Sequence, residues 1–471
     1  MTKYNKGMSR RRFLGQASCA ALGSTTFLSS ILNLGVANSL AGMAAPNLSA
    51  GGGYKAMVCI LLAGGNDSFN MLVPRNGANY TEYANTRSNL ALPQGELLPL
   101  NFTDTNGKQF GLHPSMPEVQ NLFNSGKLSF VSNIGTLVEP TTKTQYLNGS
   151  VQTPVGLLSH ADQIQQWQTS IPQTRSSKGW GGRMADILEA GNTNQNISMN
   201  ISLSGTNIYQ AGNQSTQYAI RSSVGGSVGI NNYEGTSALD MALKTGTESL
   251  LAQQYQDIFK STFTNKINTA QDNHVEFSSA LSGVTPLTTT FSDNTMSANM
   301  ELIANTIAAR DTLGVSRQTF FINFGGWDHH DTVLDNQTAM LGVVSKALAE
   351  FEAALQELGL ADCVTTFTIS DFGRTLTSNG NGSDHAWGGN VMVMGDAVNG
   401  GQIYGEYPSL ALNSTTDVGG AILLPSISTD EYFAELSQWF GVSNGDLSYV
   451  LPNIGNFYNV NSGTAPIGFM V

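Results

Sequence analysis

Residues 56–68 run Ala56-Met57-Val58-Cys59-Ile60-Leu61-Leu62-Ala63-Gly64-Gly65-Asn66-Asp67-Ser68. Positions 57–62 are apolar without a break, the pattern of a strand buried on both faces. A turn follows, because Gly accepts positive φ and Asn and Asp bond their own backbone. The same order recurs along the chain. Apolar runs at 128–134, 197–203, 319–324, 364–369 and 391–394 each give way to Gly or polar residues. Two of those endings are rich in chemistry: Gly325-Gly326-Trp327-Asp328-His329-His330-Asp331 and Ser370-Asp371-Phe372-Gly373-Arg374-Thr375. Helical spacing of apolar residues over 243–263, 297–313 and 338–358 supplies covering layers. The alternation predicts an α/β fold with a mostly parallel sheet. In such sheets ligands bind beyond the carboxyl ends of the strands, where the polar turns lie. Residues 211–295 shift to Ser, Thr, Gly and Asn with one helix and read as an insertion or cap.

The chain has 471 residues, 40% hydrophobic and only 12% charged, with 22 basic against 34 acidic residues and a net charge of −12. Phosphate backbones and anionic membranes are held by clustered Lys and Arg, so nucleic acid is excluded as a partner. Five basic residues (Lys3, Lys6, Arg10, Arg11, Arg12) stand at the very start. Ser9-Arg10-Arg11-Arg12-Phe13-Leu14 followed by an uncharged stretch is a twin-arginine signal pattern. The expectation is a cleaved export signal over 1–45, handled by the twin-arginine machinery, then a single domain over 54–471. The product would be periplasmic or secreted, without a stable membrane anchor, since polar residues interrupt any apolar run of spanning length. Past the signal only Cys59 and Cys363 remain, expected as buried thiols rather than a disulfide framework.

Histidines occur at 113, 160, 274, 329, 330 and 385. Asp328-His329-His330 and Asp384-His385 set carboxylate beside imidazole, and Asp371 ends the strand between them. Mixed Asp and His ligands suit divalent cations such as zinc, manganese or magnesium. Such a set polarises an ester oxygen and lowers the pKa of a coordinated water or hydroxyl. Asp67 adds a carboxylate from the first strand. Ser159-His160-Ala161-Asp162 precedes a short helical pattern, so Ser159 is either an ordinary N-cap or a nucleophile at a helix start. No Gly-x-Ser-x-Gly elbow surrounds a Ser at a strand end.

Taken together, the twin-arginine start, Leu62-Ala63-Gly64-Gly65-Asn66-Asp67, Ser159-His160, Gly179-Trp180-Gly181-Gly182-Arg183, Gly326-Trp327-Asp328, Ser370-Asp371-Phe372-Gly373-Arg374-Thr375, Asp384-His385 and Trp439-Phe440-Gly441 carry a resemblance. The chain resembles a family of exported bacterial proteins related to the alkaline phosphatases and sulfatases. The resemblance implies an alkaline-phosphatase-like three-layer α/β/α sandwich with a metal site at the strand ends. By chain order it implies Asp67, Asp328, His330, Asp371 and His385 as ligands of a divalent metal (zinc, manganese, magnesium or calcium), with His329 as rival to His330. Ser159 would be the nucleophile and Asn66 would contact the substrate, an anionic ester; Arg374 either makes a bidentate contact with that ester or forms a structural ion pair with a neighbouring carboxylate. Two departures stand out. Phe372 follows Asp371 where the phosphatases carry His, and Ser159-His160-Ala161-Asp162 lacks the sulfatase nucleophile context. The expectation is thus a metal-dependent hydrolase of a phosphate or related ester; the alternative is a non-catalytic exported protein of the same fold that binds metal or a surface ligand.

Overall fold

The computed structural model describes residues 53–231, 233 and 235–471. The expected signal over 1–45 lies outside them. Among the described residues, no helix is long and apolar enough to cross a membrane.

The first strand, β1 (Lys55–Ala63), is central to a ten-stranded sheet. Its alternate side chains serve two separate cores. Ala56, Val58, Ile60 and Leu62 join one buried cluster, and Met57, Cys59 and Leu61 join another. That is why the run shows no polar alternation: both faces are covered. The later strands are β2 (Leu72–Pro74), β3 (Leu98–Thr103), β4 (Gln109–Leu112), β5 (Leu128–Gly135), β6 (Asn200–Ser202), β7 (Tyr218–Arg221), β8 (Gly226–Ser227), β9 (Arg317–Gly325), β10 (Val364–Ser370), β11 (Gly389–Met394), β12 (Ile403–Tyr404) and β13 (Ile427–Ser428). The main sheet runs β12-β5-β11-β10-β1-β9-β6-β7-β8, with β13 also on β5. Strands β2, β4 and β3 form a small antiparallel sheet apart.

Strands β10 and β9 flank β1 in parallel, and β6 continues beside β9 in the same direction. β11 is antiparallel to both β10 and β5, which leaves β5 pointing the same way as β1. The sheet is therefore mostly parallel, as expected. The reversal of β11 matters for the site: its start, not its end, lies with the carboxyl ends of β1, β9 and β10. The Gly395-Asp396 turn lies at the opposite edge, where Asp396 pairs with Lys127 just before β5.

Helices α1 (Ser68–Met71), α2 (Gly77–Arg87), α3 (Pro117–Asn124), α4 (Lys143–Asn148), α5 (His160–Thr169), α6 (Trp180–Leu188), α7 (Ala238–Leu251), α8 (Ile258–Ser282), α9 (Thr295–Ala308), α10 (Val333–Leu358), α11 (Thr429–Phe440) and α12 (Leu447–Val450) complete the chain. α3, α9 and α10 pack on one face of the sheet, and α6, α11 and α12 on the other, giving a three-layer α/β/α sandwich. Cys59 and Cys363 are both buried thiols.

The expected helix over 243–263 is two helices. Asp257 accepts from the N–H groups of Phe259 and Lys260 and starts α8 afresh, a local N-cap that ends the continuity suggested by spacing alone. The segment expected to hold one helix thus carries two, and β7 adds to the edge of the main sheet through β6.

α11 opens with a Ser428/Glu431 capping box, and Asp430 lies fully buried behind it. Burial pushes its carboxyl up to about 8, against the pull of Ser170 and the Arg183 charge. An unfolded Asp titrates near ~3.9. Between those values the folded chain holds a proton that the unfolded chain has released, so stability falls as pH rises from about 4 to about 8, by a few kcal/mol. Asp430→Asn is expected to flatten that slope, measured as urea midpoint against pH. Parallel curves for the two proteins would show that Asp430 ionises freely in the fold.

Candidate functional site

The turns after β1, β9 and β10 meet at one edge, joined by the turn before β11. Gly64 has a φ of +121°, and a Cβ there would lie 2.4 Å from the Asp328 nitrogen. Only a residue without a side chain lets the first turn approach the Asp328 backbone so closely. At Gly373 a Cβ would meet the Gly388 carbonyl oxygen at 2.0 Å. The two turns there are zipped by backbone bonds from Gly373 N–H to Trp387, Ala386 N–H to Gly373 and Thr375 N–H to Asp384, at 2.9, 2.9 and 3.0 Å.

Asp328 is the hub. Its Oδ1 lies 3.3 Å from His160 Nε2, 3.1 Å from His330 Nε2 and 3.5 Å from His385 Nε2. Ligand atoms of His160, Asp328 and His385 lie within 4.8 Å of one another. The far nitrogen of each ring is spoken for. His160 Nδ1 donates to Asp371 Oδ2 at 2.6 Å, His330 Nδ1 to Asp384 Oδ1 at 3.1 Å, and His385 Nδ1 to the Leu158 carbonyl at 2.8 Å. Carboxylates and carbonyls only accept, so in the neutral rings the proton sits on Nδ1 and the lone pair on Nε2. Three lone pairs thus face one carboxylate oxygen.

Two facts fit a cation at this point. His330 Nε2 and His385 Nε2 are 2.9 Å apart, a distance at which two lone pairs repel unless a proton or metal lies between them. His160 Nε2 is buried with no hydrogen-bond partner, and a buried nitrogen left so is costly. Imidazoles oriented by carboxylate or carbonyl through the other nitrogen are the usual surroundings of a bound metal.

The electrostatics agree. Burial acts to raise the Asp328 carboxyl, but the hydrogen bond and charge of Arg374, with His160 and His330, outweigh it and hold it below the usual range. Burial lowers His385 despite its bond to Leu158, which favours the neutral, ligating form. The Asn379 amide, ahead of His330, lowers Asp384. Asp371 is raised by burial, in spite of bonds from Gly64 N–H and His160. Leu158, whose carbonyl orients His385, sits at a φ of +69°, an uncommon conformation for a branched residue and one that clusters at functional sites.

These contacts place the residues expected from sequence. Asp328, His330 and His385 come together. Asp371 stands one step back, with Oδ1 on Gly64 N–H at 3.0 Å and Oδ2 on His160. Asp67 pairs instead with Arg87, both side chains buried. Asn66 is buried too, its Oδ1 facing Gln337 at 3.3 Å. Arg374 takes the second of its two expected roles, an ion pair with a neighbouring carboxylate: its guanidinium is buried and bonded to the carbonyls of Gly64, Gly65, Ser383 and Trp327 and to Asp328. His329 is buried beside Trp327, with no hydrogen bond at either ring nitrogen, so His330 rather than its rival faces Asp328. Ser159 is the N-cap of α5 and makes no side-chain capping bond. The residue of the cluster not foreseen is its neighbour His160. The available signal was the helix start together with Phe372: the His160 ring packs on Phe372, centroids 4.8 Å apart, so the imidazole absent after Asp371 is supplied from another element.

The profile of one family, described as "Protein of unknown function (DUF1501)", matches residues 54–442, which include every residue of the cluster. The chain belongs to the DUF1501 family. No curated protein matches this DUF1501 chain. Solved structures similar to it include the PsFucS1 sulfatase from Pseudoalteromonas sp., at 11% identity over 88% of this chain and 71% of that one, with a TM-score of 0.32. Another is Ps i-CgsB, at 10% identity over 86% and 77%, with a TM-score of 0.34. A third is the soluble domain of lipooligosaccharide phosphoethanolamine transferase A from Neisseria meningitidis, at 11% identity over 85% and 92%, with a TM-score of 0.27.

Proposed function

We propose that this chain is an exported metal-dependent hydrolase of a phosphate or related ester, with the metal held by His160, Asp328, His330 and His385. The observation that carries the reading is the convergence of three Nε2 lone pairs on Asp328 Oδ1 at the strand-end edge. A donor set of three imidazoles and one carboxylate favours zinc or manganese over calcium, which prefers oxygen throughout. A metal bound there supplies Lewis acidity toward an ester oxygen and toward water. The chain's own residues do the rest. Asp371 and Asp384 fix two rings, Arg374 keeps Asp328 ionised, and the 47% and 44% exposed side chains of Asp328 and His330 leave an approach for substrate. Ser159, one residue from His160, is the candidate nucleophile. The twin-arginine route, which carries folded proteins, suits a chain whose site exists only when folded.

Asp371 acts through His160 in this reading, so Asp371→Asn is expected to weaken metal affinity about 10–100-fold while keeping its stoichiometry. Competition titration with a chromophoric chelator measures it; unchanged affinity would detach Asp371 from the site. The reading itself is tested by turnover. The metal-loaded chain should cleave members of a panel of aryl phosphate and sulfate esters, and Asp328→Ala should not. Because Arg374 and Asn66 are enclosed, a loaded chain that binds metal but cleaves no ester would point instead to the non-catalytic alternative.

A further inference from the structure

Among the described residues, ten of the thirteen exposed large apolar side chains lie between Val224 and Val275. They concentrate on the α7–α8 hairpin, away from the histidine cluster in sequence. Leu239, Leu243 and Leu250, 68%, 55% and 58% exposed, recur at four- and seven-residue spacing and form one stripe along α7. Ile258, Phe259 and Phe263, 73%, 81% and 65% exposed, stand on the first turns of α8. No residue of α7 is buried. A helix with an apolar stripe gains stability by covering it, and among the described residues nothing buries this one.

We propose that this hairpin docks a second copy of the chain, the stripe of one copy packing on the same stripe of the other about a two-fold axis. Area argues for it. Side chains of this size, most of each in solvent, offer on the order of 700 Å² of apolar surface. That total approaches the ~800 Å² per partner of a standard specific interface. Charge selects the occupant. Over 238–282 the hairpin carries Lys244, Lys260 and Lys266 against five acidic residues, on a chain of net charge −12. Helices that lie on membranes are rich in Lys and Arg on the polar face, so an anionic surface is disfavoured. Interspersed charges of both signs suit a like hairpin, and two hairpins joined this way form a four-helix layer.

Sedimentation equilibrium of the purified chain at micromolar concentration decides it. The expected mass is twice that of the 50.0 kDa chain. Leu243→Glu with Phe259→Glu should halve that mass, and Leu250→Lys should weaken the dimer at least tenfold, with melting temperature and metal content unchanged in both. A monomeric wild type overturns the proposal, as does a dimer that survives the double substitution. A monomer that floats with phosphatidylcholine/phosphatidylglycerol vesicles overturns it in favour of a membrane surface.

Discussion

Asp328→Ala is expected to empty the site: retained metal, measured by elemental analysis after dialysis against a weak chelator, should fall from near one equivalent to below about a tenth. The reasoning is geometric and electrostatic. Asp328 Oδ1 is the common neighbour of His160, His330 and His385. Without it the Arg374 guanidinium lacks its carboxylate at 2.5 Å. A cation would then enter against an uncompensated positive charge, a repulsion of a few kcal/mol at short range in a partly buried setting. Melting curves taken alongside separate metal loss from unfolding. Stoichiometric metal in a folded Asp328→Ala would remove this cluster from consideration as the binding site.

The second large effect concerns stability. Asp67 and Arg87 form an ion pair whose side chains are 1% and 0% exposed. Arg87 is held further by Asn70 Oδ1 at 3.1 Å and by the carbonyls of Thr375 and Leu376 at 3.0 and 3.3 Å. Removing one member of a buried pair strands the other charge and costs about 3–5 kcal/mol. Asp67→Ala should therefore shift the urea midpoint strongly downward while the folded fraction keeps its metal. The reverse outcome, wild-type stability with metal lost, would restore Asp67 to the ligand set that chain order suggested.

The strands that build the edge were legible because burial on both faces writes an uninterrupted apolar run, as in β1, β9 and β10. Direction was not: Val391 to Met394 look the same whichever way the strand runs, and only pairing with β10 and β5 shows that β11 delivers His385 rather than Asp396 to the edge. Residue type marked Asp328, His330 and His385 as chemistry. It left roles open where a partner decides them. Nothing near Asp67 in sequence announced that Arg87 would stand against it. Arg374 read equally as an anion binder or a structural ion pair, and only the fold shows it held by two glycine carbonyls and Asp328. His160 was overshadowed by Ser159, since nothing local announces that its ring will reach Asp371, 211 positions away.

The bond from His385 to the Leu158 carbonyl joins residues 227 positions apart, and this span sets a schedule. In the proposed reading, a chain still emerging from the ribosome cannot assemble the metal site until the turn before β11 is made and β10 has found β1. Partial chains and early collapsed states hold the four side chains far apart, and long-range parallel pairing forms late and slowly. Capture of the proposed cation would then report completed assembly. Metal content in a cell extract would count finished molecules, and an aborted or misfolded one would carry none.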